Sequence, residues 1–466
     1  MTQNQAVVIG SPISHSLSPG IFSFLASRLG KFDFNYQAQK IEPEELDNFL
    51  REFKRGTHII GLNVTIPHKE TILKLLNQLS PAAQTIGAVN VVQRQAEILY
   101  GHNTDVHGII WTLKNHQCIV KEKTAFILGA GGAARSIAFV LGSQKAKQVQ
   151  FLNNDLDRAE SLVRKFTSIF PETRFQAGSL QGKYKFPPID LWANTTPLGM
   201  AGVPTTQAGQ PALDYFTQIY TTHGLTFSER SHAFDLIYRP EETPFLIVAK
   251  KLGLKPIGGL DMLVEQALQT WGIWFGNTPE LEHIRPELMD YLRNRPLFLT
   301  GFMGAGKSTV GALLARKLGW QLLDIDLLIE REAQMSISEI FKKDGESRFR
   351  EIESQIIRKF AFSSRTVIAL GGGALSNTAT RNIIKKSGQL VFLSAQPSTL
   401  VERLRRVPNY RPLLESVFAE ENPDEQRLKI SMLLKQREES YFSATLKVET
   451  DHLSPEEIIQ KIIENI

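Results

Sequence analysis

The run Gly301-Phe-Met-Gly-Ala-Gly306-Lys307-Ser308 fits the pattern G-x-x-x-x-G-K-[ST] in full. Glycines at these places let backbone N–H groups wrap a polyphosphate. The lysine then reaches the outer phosphates, and the next hydroxyl holds Mg²⁺. Gly304, Ala305, Gly306, Lys307, Ser308 and Thr309 are therefore the expected nucleotide contacts. Asp324 and Asp326, in Leu-Leu-Asp-Ile-Asp, end a predicted strand at the edge where open α/β sheets bind ligands. One can order Mg²⁺ and the other can take the proton of an attacking hydroxyl. The chemistry of this region is phosphoryl transfer from ATP.

A second loop, Gly129-Ala-Gly131-Gly-Ala-Ala134, matches G-x-G-x-x-[GA] between the apolar run TAFIL and a helical stretch. In that context the pyrophosphate of a dinucleotide rests on the helix N-terminus. Upstream lie Gly10-Ser-Pro-Ile-Ser-His-Ser16-Leu-Ser18, Gly61-Leu-Asn63-Val-Thr65-Ile-Pro-His-Lys69, Gly87-Ala-Val-Asn90 and Gly101-His-Asn103-Thr104-Asp105. Small hydroxyl and amide groups with one lysine and one aspartate suit a small polyhydroxylated acid. Taken singly, each segment also reads as turn chemistry.

The elements that must position these residues alternate strand and helix, a rhythm that predicts α/β folding with parallel sheets. A polar stretch, 279–295, precedes the strand PLFLT and reads as a linker helix. The expected domains are a substrate-binding domain over 1–105, completed by 240–278, and a Rossmann-type dinucleotide domain over 106–239. A P-loop domain over 296–466 follows the linker. The chain has 466 residues, enough for several cores, and a net charge of +5, too mild to imply nucleic acid. Cys118 is the one cysteine, so no internal disulfide forms, which favours a reducing compartment. The start of the chain lacks a secretion signal, and no apolar run reaches the roughly 18 residues of a membrane span. A cytoplasmic protein with small-molecule partners is expected; oligomeric state is not legible.

The C-terminal motifs, with Gly345-Glu-Ser-Arg-Phe-Arg350-Glu-Ile-Glu353, Gly371-Gly372-Gly373 and Arg411-Pro-Leu-Leu, appear in the order of the shikimate kinase family, which this part resembles over about 296–460. The resemblance implies a nucleoside-monophosphate-kinase type of P-loop domain. It implies that Asp326 binds and positions the attacking hydroxyl of shikimate. Arg350 and Arg437 would clamp the carboxylate, and Gly372 and Gly373 would hold the ring. Arg411, in a short lid, would meet the transferring phosphoryl group, and Arg406 would pack on adenine. Ser308 and Asp324 would hold the metal.

The N-terminal segments, with Asn194-Thr-Thr-Pro-Leu-Gly-Met200, Asp235-Leu-Ile-Tyr238-Arg-Pro and Gly258-Gly259-Leu-Asp-Met-Leu-Val-Glu-Gln266, resemble shikimate dehydrogenase over about 5–278. By that resemblance Ser16 and Ser18 hold the substrate carboxylate. Asn63, Thr65, Asn90, Tyr238 and Gln266 touch the ring or its hydroxyls, and Lys69 and Asp105 form the catalytic pair. Gly129, Ala130, Gly131, Gly132, Ala133 and Gly259 face the nicotinamide cofactor. At the end of the second nucleotide strand the family's NADP form reads Asn-Arg-Thr, whereas this chain reads Asn153-Asn154-Asp155, with Arg158 one turn on. NADP is the expected cofactor and NAD the alternative. Hydride added to a ketone leaves an alkoxide, and Lys69 can answer it as proton donor or as electrostatic stabiliser.

Both resemblances point to consecutive steps, reduction of 3-dehydroshikimate and phosphorylation of shikimate, in one bifunctional enzyme. One rival is a quinate/shikimate dehydrogenase joined to another small-alcohol kinase. Another is a catalytically inactive shikimate-sensing regulator, against which intact Lys69, Asp105, Lys307, Ser308 and Asp326 argue.

Overall fold

A computed structural model describes residues 5–13, 16–56, 59–180, 182, 184, 186–276, 280–406 and 417–466. The chain divides into two compact units, Met1–Met289 and Asp290–Ile466.

The first unit holds two sheets. One is built from β1 (Gln5–Gly10), β2 (Asn35–Lys40), β3 (Ile59–Val64), β4 (Gln78–Leu79), β5 (Val91–Gln95) and β6 (Ile98–His102), in the order β2-β1-β3-β5-β6-β4. β1 runs parallel to β2 and β3, and its residues after Gln5 are all buried, as a strand covered on both faces requires. The expected parallel pairing holds for β1, β2 and β3, while β5 is antiparallel to both β3 and β6. The physical reason is a tight connection: only Ala96 and Glu97 separate β5 from β6, with Ala96 at φ 53°, and so short a link permits only a hairpin.

The other sheet is fully parallel. It comprises β7 (Thr124–Leu128), β8 (Gln148–Asn153), β9 (Arg174–Ser179), β10 (Ile189–Asn194), β11 (Phe227–Asp235) and β12 (Lys255–Ile257), ordered β12-β11-β10-β7-β8-β9. This is the doubly wound order, with its switch point between β7 and β10. The period-two geometry is explicit in β7. Ala125 and Ile127 join one apolar cluster with Ile137 and Phe166, while Phe126 and Leu128 join another with Trp192 and Phe245.

Two expected boundaries need correction. The segment 240–278 is expected to complete the first domain, but β12 pairs with β11 and the helix Pro244–Lys251 packs beside them in the second sheet's layer. Only the helix Leu260–Phe275 returns, packing on the helices Asp105–Asn115 and Ser18–Arg28. The supposed linker is likewise not free: in the helix Glu280–Arg293, Leu281, Ile284 and Leu288 are buried. Arg285 pairs with Glu265 and stands 4.8 Å over the Trp111 ring, and Arg28 pairs with Glu287 at 3.1 Å. The second unit begins at Asp290, ahead of the expected 296.

That unit has one parallel sheet of β13 (Leu297–Thr300), β14 (Gln321–Asp324), β15 (Thr366–Ala369), β16 (Gln389–Ser394) and β17 (Leu446–Glu449), ordered β14-β15-β13-β16-β17. The phosphate-loop strand β13 is central and wholly buried. Its helix, Lys307–Leu318, starts after Gly306 (φ 94°) and stops at Gly319 (φ 67°), both left-handed positions that favour glycine. Among the described residues no helix is long and apolar enough to cross a membrane.

Candidate active sites

In the first unit the expected polar residues converge. Lys69 follows β3, and Asp105 opens the helix Asp105–Asn115, where the helix dipole favours a negative charge. Lys69 Nζ donates to Asp105 Oδ2 at 2.6 Å, with the two side chains only 16% and 5% exposed. Desolvating such a pair costs about as much as its attraction returns, so stability alone does not explain its presence. Asn90 Nδ2 donates to Asp105 Oδ1 (2.9 Å), to Thr104 Oγ1 (2.9 Å) and, more distantly, to Gln266 Oε1 (3.4 Å). Thr104 N–H returns a bond to Asn90 Oδ1 at 2.7 Å. Both carboxylate oxygens of Asp105 are thereby fixed, and the lysine keeps N–H groups for a ligand.

Asn63 is buried and accepts from the Tyr36 hydroxyl at 2.7 Å. Tyr36 also meets the Ser18 side chain, and Tyr238 meets that of Ser16. Burial, the largest influence on each, holds both phenols neutral, well above their usual range for Tyr36. Ser18 N–H donates to Ser16 Oγ at 3.3 Å, so the two serines are adjacent. Thr65, after β3, is half-buried. Tyr36 belongs to this network and lies in none of the linear motifs.

The glycine-rich loop abuts these residues. A Cβ on Gly132 would stand 3.0 Å from Lys69 Cβ, and Asn103 Nδ2 donates to Ala88 O (3.0 Å) and Ser136 Oγ (3.2 Å). Gly129 has φ 105°, and a Cβ there would lie 2.5 Å from Thr195 Oγ1, so glycine is required. Over Gly131 the nearest group is Arg158 Nη2, at 3.7 Å from the Cβ position, which leaves the backbone open to a close approach. Ala130 is buried and Gly259 packs against Leu236 O. Loop, open backbone and helix N-terminus fit a dinucleotide. At the end of β8, Asn153 Nδ2 donates to Asp155 O (2.9 Å), and Asn154 is exposed. The Asp155 side chain accepts from Arg158 N–H at 3.0 Å, which makes it the N-cap of the helix Leu156–Ile169.

In the second unit Gly301, Gly304 and Gly306 all have φ in the left-handed range or beyond, from 81° to 150°. Lys307 Nζ donates to Gly301 O (2.9 Å) and Phe302 O (3.2 Å), folding over the loop. Ser308 Oγ donates to Asp324 Oδ2 at 2.7 Å, and Asp324 Oδ1 accepts from Asp326 N–H at 3.1 Å. A hydroxyl bound to a carboxylate beside the phosphate loop is the oxygen donor set that Mg²⁺ takes together with phosphates.

The substrate candidates meet around the glycine triplet. Arg437 Nη1 donates to Gly372 O at 2.8 Å, and a Cβ on Gly373 would fall 2.4 Å from Arg350 Nη2. Arg350 pairs with Glu353 (2.7 Å) and Glu346 (3.1 Å). At Gly371 a Cβ would meet Glu353 Oε1 at 2.6 Å and Asp326 Oδ1 at 3.0 Å, so the first glycine of the triplet is the one hemmed in by carboxylates. Burial raises the Glu353 carboxyl, against the pull of Arg350. Arg406 is exposed and pairs with Glu402, whereas Arg403 donates to Thr450 O (2.9 Å) and, weakly, to Gly304 O (3.4 Å) of the loop. Arg403 is a loop contact that the motifs did not single out. Arg411 and the expected lid around it lie outside the described residues.

Two family models match: "Shikimate dehydrogenase substrate binding domain" over residues 8–92 and "Shikimate kinase" over residues 303–466. A shikimate dehydrogenase (NADP(+)) of Caldanaerobacter subterraneus subsp. tengcongensis is 36% identical over 271 residues, covering 58% of this chain and 90% of the relative. One from Methanosphaera stadtmanae is 33% identical, covering 61% and 96%. Among solved structures, a shikimate dehydrogenase in complex with NADP+ is 32% identical with a TM-score of 0.52, over 62% of this chain and 95% of that one. The Listeria monocytogenes shikimate 5-dehydrogenase in complex with shikimate and NAD is 27% identical with a TM-score of 0.51, over 61% and 96%.

Proposed function

We infer that this chain, which belongs to the shikimate dehydrogenase family and carries a shikimate kinase domain behind it, is a bifunctional enzyme of the shikimate pathway that reduces 3-dehydroshikimate to shikimate and phosphorylates shikimate to shikimate 3-phosphate. The observation that carries this reading furthest is the Lys69–Asp105 pair, withdrawn from water and packed against the first turn after the glycine-rich loop.

NADPH supplies the hydride and Mg-ATP the phosphoryl group. In the first unit Lys69 faces the negative charge that develops on the ketone oxygen, and Asp105 and Asn90 hold its ammonium in place. Ser16 and Ser18 take the substrate carboxylate, with Tyr238 and Tyr36 behind them. Asn63, Thr65 and Gln266 take the ring hydroxyls. In the second unit Asp326 receives the proton of the attacking hydroxyl, and Arg350 and Arg437 hold the carboxylate against Gly372 and Gly373. Ser308 and Asp324 hold the metal, and Lys307 with Arg411 carries positive charge to the transferring group. A metaphosphate-like transition state asks for little else. The lone, buried cysteine suits a cytoplasmic setting.

The test is to mix the full chain with 3-dehydroshikimate, ATP and Mg²⁺, adding NADPH or NADH in parallel, and to follow nicotinamide oxidation and ADP release together. Nicotinamide consumption, with ADP appearing only after shikimate forms, is the expected result, faster with NADPH. Shikimate binding without turnover of either nucleotide would favour the sensing regulator.

A further inference from the structure

Glu70 directly follows Lys69 and serves neither reaction in the scheme above. Its side chain is about a quarter exposed, and each of its oxygens meets an arginine from a different helix. Oε2 accepts from Arg135 Nε at 3.0 Å, in the helix Gly132–Ser143. Oε1 accepts from Arg158 Nη2, in the first turn of the helix Leu156–Ile169. Arg158 is half exposed, yet its guanidinium crosses the glycine-rich loop, because Nη2 is also the nearest group to the Cβ position of Gly131. A third cation stands close by: Lys165 Nζ lies 2.6 Å from the Cβ position of Gly87, near Arg135. Two arginines therefore share one carboxylate beside the cofactor loop, with a lysine in the field of the group.

An ordinary surface ion pair contributes little. This one differs in place. It stands at the edge of the cradle that a dinucleotide enters, and it ties the residue after Lys69 to the helix that follows the second nucleotide strand.

We propose that Glu70 is a specificity-determining clasp, holding Arg158 across the glycine-rich loop until the 2′-phosphate of NADPH takes that guanidinium from it, while Arg135 stays with Glu70. The proposal rests on the reading of the first unit as an NADP-dependent dehydrogenase. A phosphate dianion outcompetes a single carboxylate for a guanidinium, and a ribose hydroxyl does not. NADPH therefore opens the clasp at the cost of the Glu70–Arg158 pair, and NADH binds with that pair left closed.

The test is equilibrium binding of NADPH and of NADH, by nicotinamide fluorescence, to the full chain and to its Glu70→Gln and Arg158→Met variants, at low and at physiological salt. Glu70→Gln should tighten NADPH about three- to tenfold and leave NADH unchanged, a gain of roughly 1 kcal/mol. Arg158→Met, at an exposed position where folding is not at stake, should weaken NADPH about tenfold or more and leave NADH unchanged. A cooperative urea-unfolding transition of the first unit in the same preparations reports that it is folded. If Glu70→Gln weakens NADPH, Glu70 only positions the arginine and the clasp is wrong; if it shifts both nucleotides alike, or neither, the clasp is equally wrong. Wild-type chain that binds neither nucleotide would overturn the dehydrogenase reading and the clasp with it, whereas wild type that binds NADPH, with no selective effect in Glu70→Gln, overturns the clasp alone.

Discussion

Asp235 is fully buried at the end of β11 and accepts from Asn194 Nδ2 (3.0 Å), Ile237 N–H (3.1 Å) and Thr243 Oγ1 (2.6 Å). It joins the loop after Asn194 to the segment that carries Tyr238. Burial outweighs those three bonds and pushes its carboxyl up to about 7, from 3.8. Because the folded value lies above the unfolded one, its contribution to stability is complete below about pH 4 and is lost as pH rises to about 7, by roughly 4 kcal/mol. Urea unfolding, followed by tryptophan fluorescence from pH 4.5 to 8, should show that slope in the wild type and a shallower one in Asp235→Asn. Parallel curves would mean that the carboxylate is ionised throughout. At this scale the sequence reveals residue types better than partnerships. Lys69, Asp105 and Asn90 stand out because one lysine, one aspartate and small amides at predicted strand ends already suggest a polyol site, whereas Gln266, inside a helix, stands out only through the family resemblance. Tyr36 and Glu70 are not, since each acts through a partner 27 to 88 residues away, visible only once strands and helices are packed.

Two helices present two of the candidate residues of the first unit, and one glycine sets their separation. The helix Asp105–Asn115 presents Asp105, and the helix Leu260–Phe275 presents Gln266. Between them, a Cβ on Gly108 would stand 2.6 Å from Met262 O and 2.8 Å from Met262 Cγ. Alanine in a helix is worth about 1 kcal/mol more than glycine. Forcing two packed helices apart costs about 1–3 kcal/mol, and here the obstacle is backbone, which cannot swing away. Overpacking should win. Gly108→Ala is expected to lower the stability of the first unit by about 1 kcal/mol in urea unfolding, and to raise the KM for 3-dehydroshikimate more than it lowers kcat. A more stable variant with unchanged KM would show that the helices have slack. Elements are legible where their period is clean, as in β1, β7 and the phosphate-loop helix. The helix Glu280–Arg293 reads as polar because charged residues dominate it, yet Leu281, Ile284, Leu288 and Tyr291 repeat at helical spacing and are all buried. The antiparallel β5–β6 pair was missed for a different reason: Ala96-Glu97 carries none of the glycine or asparagine that marks a two-residue hairpin.

The two catalytic outfits draw on separate stretches of chain, the first closing with Gln266 and the second opening with the phosphate loop at Gly301. Each unit has its own sheet layers and its own apolar clusters, and neither outfit borrows a candidate residue from the other. Covalent fusion fixes a one-to-one ratio of activities. It does not by itself require that shikimate pass from one site to the other without entering solution. The simplest consequence is that the two activities can be separated and recombined. In the full chain, Lys69→Met should abolish reduction and leave phosphorylation of added shikimate intact, and Lys307→Met should do the reverse. Removing a group that moves a proton or stabilises developing charge typically costs about 10²-fold or more, so either loss is readily measured. Mixed in equal amounts, the two variants should convert 3-dehydroshikimate to shikimate 3-phosphate at the steady rate of the same number of wild-type sites, after a lag while free shikimate accumulates. An assay of ADP release against nicotinamide oxidation resolves that lag. If the wild type shows the same lag, shikimate travels through solution and fusion serves stoichiometry. If the wild type shows none while the mixture does, shikimate formed on one chain reaches that chain's own kinase site ahead of the bulk pool, and fusion also raises the local supply.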